Sequence, residues 1–312
     1  MKKGIKNKMQ WVFYVSMVAI PLLHFILFYV YVNFNSILLA FKTYDASISD
    51  FVWNKGGEMF DNFKTVIKMF SDPSYAPTDF SVAMGNSFRN SVLIQVLGWV
   101  IRSPLAWAFS WYVYKQKFGA NAFRVILYLP QIISSVTMVT MFVPVMDLVV
   151  PNMLSELFGT DVTSFFSYEK EFGTYLFYYI WASFGGSVLI YSGTMSSISD
   201  SIIEAGQVDG VTPIQEFLKI VLPMIWPTIA TFLVVGCADM FTDQMNLFTF
   251  NRTDTEAEFS TVGYFLYRQM VQGNPTSRFP ILSAMGLCLT VIAMPVVLLM
   301  RWFTSKVNPM EN

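Results

Sequence analysis

Six long apolar blocks alternate with polar segments along this chain. They cover residues 11–32, 91–114, 123–146, 172–194, 224–250 and 279–303. Each approaches or exceeds the roughly 20 residues that carry a helix across a hydrocarbon core. The pattern predicts an all-α integral membrane protein of six transmembrane helices, with residues 1–312 forming a single transmembrane domain. Between the first two blocks, residues 33–89 are mixed and polar, with Asp45, Asp50, Glu58, Asp61, Asp72 and Asp79. Their Pro, Ser and Gly content predicts a loop with short helices. Residues 147–171 and a segment with Arg252, Asp254, Glu256 and Glu258 make two further loops on that side. Lys2, Lys3, Lys6 and Lys8 precede the first block, and no small-residue cleavage site follows it. An uncleaved first helix is therefore expected.

The stretch between the fourth and fifth blocks, residues 200–223, has the densest helix signals. Ser201 and Glu204 have capping-box spacing, which predicts a short helix running to about Asp209. Gly210 can adopt the left-handed conformation that closes it. Thr212, Pro213 and Gln215 then predict a second cap, first helical position and box partner. Ile214, Phe217, Leu218 and Val221 fall on one face of that second helix, and Pro223 and Pro227 mark its end or a kink.

Glu204-Ala205-Gly206, Asp209-Gly210, Phe217, Ile220, Leu222-Pro223 and Pro227 resemble the EAA loop of ABC importer permeases, chiefly the binding-protein-dependent sugar permeases of the maltose and multiple-sugar type. The pattern departs at Gly206 and Val211, where that family prefers small residues such as alanine. The resemblance implies a type I ABC importer permease-like bundle with a cytoplasmic coupling helix. It assigns Glu204, Ala205, Gly206, Asp209, Gly210, Phe217, Leu222 and Pro223 to contact with, or shaping of, a loop gripped by an ATPase. Leu129-Pro130 and Arg301 also sit where similar permeases have them, whereas the Gly-Gly-Pro often found after the fifth block is missing.

Charge sets the sidedness. Basic residues at the N-terminus, at Lys115, Lys117 and Arg124, and at Arg301 and Lys306 fall on one side of six crossings. The positive-inside rule makes that side cytoplasmic, with both termini there. Asp200, Glu204, Asp209 and Glu216 make the 200–223 stretch a local acidic exception, as a docking loop allows. Composition agrees with a bilayer: 54% of residues are hydrophobic and 13% charged, against roughly 25% charged in soluble domains. A net charge of −1 offers no nucleic-acid footprint. The single histidine, His24, cannot assemble a histidine metal cluster or triad, and Cys237 and Cys288 lie in apolar runs.

The fifth block carries Asp239, Asp243 and Asn246 at spacings of four and three, which predicts one polar helical face. Such groups inside a membrane usually face a bundle interior, a partner or a water-filled path. Asp239, Asp243, Asn246 and the neighbouring Phe241 are thus candidates for a substrate path. Arg102, within the second block, needs a partner, and rise per residue places Arg102 and Asp239 at matching depths of roughly 18–20 Å. An intramembrane Arg102–Asp239 pair is expected. Gly185-Gly186 permits a close helix contact. Most aromatics, 17% of the chain, read as interfacial anchors such as Trp11, Trp107, Trp111 and Trp302. Tyr191 and Phe241 lie closer to the polar face or the end of a path.

No G-x-x-x-x-G-K-[ST] phosphate loop occurs. The chain is therefore expected to be a transport subunit rather than an enzyme, with no cofactor of its own and with ATP and Mg on a separate ATPase. The resemblance implies two cytoplasmic ABC ATPase subunits, a second and non-identical permease, an extracytoplasmic solute-binding protein, and a multi-pass place in the cytoplasmic membrane of a prokaryote. The solute stays open between a sugar or oligosaccharide and another solute such as a glycerol phosphate ester. A secondary transporter would instead predict repeats in matching halves, and a membrane enzyme a convergent acid–base or metal cluster.

Overall fold

The computed structural model describes residues 8–307 apart from 79, 81, 160, 252–255, 257, 273 and 274. The expected charges Lys2, Lys3, Lys6, Asp79, Arg252 and Asp254 lie outside the described residues. Among the described residues four helices are long and apolar enough to cross a membrane: Trp11–Leu39, Ser87–Tyr114, Ser135–Phe158 and Thr276–Lys306. A fifth candidate, Pro213–Met224 with Trp226–Asp239, passes only as a pair bent by 66°. Tyr168–Met195 is of similar length but less apolar, because tyrosines, glycines and hydroxyl residues recur along it.

Three expected blocks are re-cut by local backbone chemistry. The helix over 123–146 is broken: Ala120–Ile132 stops at Ile133, whose ψ is 140°, and a new helix begins at Ser135. Pro130 in the turn before the break weakens the helix there, having no N–H to donate. The restarted helix runs on through a wider turn, Val145–Val149, to Phe158, shortening the following loop. The block over 224–250 ends as a helix at Asp239. Met245 and Asn246 then have left-handed φ values of 50° and 58°, and Leu247–Asn251 is a separate short helix. Asp239, Asp243 and Asn246 therefore do not share one continuous helical face. The first helix continues past 32 to Leu39.

The all-α expectation also needs one correction, a two-stranded antiparallel hairpin pairing Lys42–Asp45 with Asp50–Trp53. Its turn is held by the Asp45 carboxylate, which accepts from the Ser47 backbone N–H and hydroxyl. Those bonds keep the Asp45 carboxyl below its usual range. Helix Asp61–Ser71 buries Val66 and Met69. Its Asn62 amide donates to the carbonyls of Ala40 and Lys42, both at 2.8 Å, fixing the hairpin to the bundle.

Helix Tyr168–Met195 is the centre of the packing. Helix Ala120–Ile132 lies directly on it at Gly185, where an added Cβ would sit 1.9 Å from the Leu127 carbonyl oxygen. The close contact expected at Gly185-Gly186 is thus a backbone-to-backbone approach at Gly185, while Gly186 makes room for the Gln131 side chain. On its other side Ser110 Oγ donates to the Val188 carbonyl at 3.2 Å, tying in Ser103–Tyr114. One apolar cluster joins Ala106, Val188, Tyr191 and Met195 to Ile203, Val221, Ile225 and Ile229. A second, at the far end, joins Val66, Met84, Phe241 and Met285.

Candidate functional site

Residues 200–223 fold into two short helices at the end of the bundle that carries Lys115. The first is Asp200–Val208. Its cap is Ser199 rather than Ser201, the two hydroxyls lying 2.8 Å apart. Glu204 then falls beyond the first turn, so the expected Ser201–Glu204 box is not made, and the carboxylate is exposed. The C-terminus closes as expected. Gly210 has φ +75°, its N–H bonds to the Gln207 carbonyl, and the Val211 N–H bonds to that of Gly206, both at 3.1 Å. These two bonds make a Schellman motif.

Thr212 caps the second helix, Pro213–Glu216, with the full capping box to Gln215. The chain continues through a wide turn, Phe217–Val221, and Leu222–Met224 to the bend at the buried Ile225. Gly206 has a local reason: a Cβ there would lie 2.7 Å from Ile220 Cδ1. The predicted apolar face is divided. Val221 is buried and Phe217 half-buried, whereas Ile214 is 68% and Leu218 54% exposed, and Val208 is 87% exposed. Ala205 and Asp209 are exposed beside them, and Leu222 and Pro223 are half-buried.

Glu216, by contrast, is 4% exposed. It pairs with Lys115 at the end of the second long helix, and Phe217 meets Trp111 of that helix at 5.3 Å. Sequence reading noted both charges without joining them, because they lie far apart in the chain and nothing in the spacing pairs them.

The second site is a polar cleft of about 450 Å³, lined among others by Gln131, Ser135, Tyr179, Ser183, Asp243 and Asn246. Arg102 stands behind it. Its Nη1 donates to Tyr179 Oη at 3.3 Å and to Ser183 Oγ at 3.4 Å, and the guanidinium lies 5.4 Å from the Tyr179 ring centre. Tyr179 Oη donates in turn to Asp243 Oδ2 at 2.6 Å, while Asp243 Oδ1 accepts the Met245 N–H at 2.8 Å. Gln131 Nε2 donates to the Ser183 carbonyl at 2.9 Å. The positive and negative charges are thus joined through a phenol, and the wall offers both donors and acceptors to a polar solute.

Two expected assignments change. Arg102 makes no ion pair with Asp239 among the described residues. The wide turn Gly98–Arg102 alters the helical phase, and Asp239 closes its helix as an exposed residue. Counting rise along straight helices could reveal neither. Phe241 leaves the path altogether: it is 4% exposed and stacks on Phe88 at 5.1 Å and 15°. Tyr191 is likewise core. Tyr179 and Ser183 were missed, although their spacing of four puts both on one face of a helix.

The corrected geometry makes a mutant-cycle prediction for thermal unfolding of the purified protein. Arg102→Ala and Asp239→Ala should add. Arg102→Ala and Asp243→Ala should instead couple, by about 0.5–3 kcal/mol, as members of one hydrogen-bonded network do.

Residues 102–309 match the family described as "Binding-protein-dependent transport system inner membrane component". A probable ABC transporter permease of Mycoplasma pneumoniae is 25% identical over 263 residues, covering 79% of this chain and 75% of that protein. The sn-glycerol-3-phosphate transport system permease protein UgpA of Escherichia coli is 25% identical over 80% of each chain. The maltose/maltodextrin permease MalF of Salmonella typhimurium is 24% identical over 72% of this chain and 45% of its own length. Among solved structures, a chain of a bacterial ABC transporter that imports alginate superposes with a TM-score of 0.74 at 24% identity, covering 96% of this chain and 97% of that one.

Proposed function

Because the chain belongs to the family of binding-protein-dependent transport system inner membrane components, we propose that it is the permease subunit of an ATP-driven importer that brings a sugar or oligosaccharide into the cytoplasm. As a member of that family it is a membrane-embedded transport component and not an enzyme. Hydrolysis belongs to two separate ABC ATPase subunits, which hold ATP and Mg. The bundle makes six crossings with both termini cytoplasmic in a prokaryotic membrane. The broken helices 120–132 and 135–158 together form the third crossing, and 168–195 the fourth.

The observation that carries this reading is the 200–223 segment. Asp200–Val208 is the coupling helix, exposing Glu204, Ala205 and Asp209 to the ATPase. Gly210 sets the turn after it, and Gly206, Phe217, Leu222 and Pro223 seat the segment on the bundle. The outward-facing Val208, Ile214 and Leu218 supply apolar contact that the chain itself does not use. The first span, exposed along residues 11–36, is available to a second, non-identical permease. The opposite face meets a solute-binding protein, as in the solved alginate transporter with its periplasmic protein.

A neutral, hydroxyl-rich solute suits the cleft, since Arg102 and Asp243 offset each other through Tyr179. The substrate path runs past Asp243 and Asn246. A second reading, a glycerol phosphate ester, is favoured by the UgpA likeness. Proteoliposomes holding the complete transporter, with ATP inside and the binding protein outside, decide between them using labelled maltotriose, an alginate oligosaccharide and sn-glycerol 3-phosphate. ATP-dependent uptake of the neutral sugar is expected. Uptake confined to the phosphate ester would establish the second reading, and accumulation without ATP would remove both.

A further inference from the structure

The 200–223 segment has two physical routes to the cleft. One runs along its own chain, but that route passes the 66° bend at Ile225 before reaching helix Trp226–Asp239. A break in the helical hydrogen-bond ladder is a poor rod. The other leaves the chain at Glu216. Its carboxylate is buried against Lys115, directly after helix Ser103–Tyr114. That helix is regular for all its 12 residues, so a displacement at Lys115 reaches Arg102, about 20 Å away at 1.5 Å per residue, without a joint. Arg102 in turn holds Tyr179 and, through it, Asp243.

We propose that the Lys115–Glu216 ion pair, seconded by the Trp111–Phe217 contact, is the positioning element that carries movement of the 200–223 segment to the polar cleft. The inference rests on the reading of that segment as the ATPase-coupling loop. Burial gives the pair this capacity. Glu216 is buried, and its neighbours in sequence, Phe217 and Val221, belong to one apolar cluster with Trp111 and Tyr114 of the long helix. A charge in such a place stays with its partner, because separation would leave it unpaired and poorly solvated. The two elements are therefore obliged to move together. An exposed pair, screened by water and salt, would impose no such constraint.

The experiment measures solute transported per ATP hydrolysed by the complete transporter in proteoliposomes. Lys115→Gln and Glu216→Gln remove one charge each while keeping a hydrogen-bonding side chain of similar shape. Each should lower the ratio at least tenfold while the ATPase stays bound. The exchange Lys115→Glu with Glu216→Lys should restore the ratio to within threefold of wild type. An unchanged ratio in the single variants overturns the proposal. So does loss of assembly in the single variants with full recovery in the exchange, which would make the pair a clamp and nothing more. Gly210→Val, acting in the loop alone, is measured alongside. If it lowers the ratio and the pair variants do not, the pair has failed and the coupling loop stands. If it too leaves the ratio unchanged, the coupling reading itself has failed.

Discussion

Gly185→Val should all but abolish accumulation of the folded protein. The Cβ of any residue there would lie 1.9 Å from the Leu127 carbonyl oxygen and 2.8 Å from its carbon. Those are backbone atoms, so no side chain can rotate away, and the helices 120–132 and 168–195 must separate. Overpacking of this kind costs about 1–3 kcal/mol even where side chains can yield, and occasionally more. Here the separation would also pull Gln131 from the Ser183 carbonyl and open the cleft. Gly193→Ala, in the same helix, is the control. Nothing lies within 4 Å of its added Cβ, and an alanine in a helix interior stabilises by roughly 0.5–1 kcal/mol. Membrane accumulation and thermal unfolding of the two variants should move in opposite directions.

Gly210→Val should produce the other large effect, in coupling rather than in folding. Space is not the constraint, because nothing lies within 4 Å of a Cβ at Gly210. The backbone is: φ is +75°, where a β-branched residue costs on the order of 1–3 kcal/mol. The cheapest escape is to abandon the Schellman closure, losing the Gly210–Gln207 and Val211–Gly206 bonds. Helix Asp200–Val208 then loses its set direction relative to Thr212 and the second helix. The variant should insert and join its partner permease, yet transport poorly. Its complex should show ATP hydrolysis that the solute-loaded binding protein no longer stimulates. Full stimulation in that complex would remove the role given to the loop.

What was legible in the sequence follows from how local each signal is. The Thr212–Gln215 capping box and the left-handed Gly210 depend on residues within one turn, and both were readable. The apolar blocks located most of the long helices, since length and hydropathy are summed over a window. Helix interruptions were not readable to the same degree. Pro130 lies in the turn before the break after Ile132, and Pro104 and Pro223 follow the wide turns Gly98–Arg102 and Phe217–Val221. Each proline removes one helical N–H donor, but a proline alone does not say whether the helix will break, bend or widen. Each wide turn shifts the helical phase, so the depth count that joined Arg102 to Asp239 failed. The same count could not foresee that the helix stops at Asp239, before the left-handed Met245 and Asn246. Pairs formed between distant segments, Lys115 with Glu216 and Tyr179 with Asp243, depend on tertiary approach alone. Nearness to Asp239 and Asp243 along the chain made Phe241 a path candidate, whereas its stacking on Phe88 places it in the core.

The central claim is that this chain conducts solute while another polypeptide, gripping residues 200–223, supplies the energy. Its most direct test is purification from native membranes in mild detergent, comparing wild type with Glu204→Arg. Glu204 is exposed on the first short helix. The account predicts that an ABC ATPase co-elutes with the wild-type chain in stoichiometric amount. It should be lost with Glu204→Arg while a second permease stays bound. A wild-type chain that elutes without an ATPase, or an ATPase retained equally by both proteins, would contradict it.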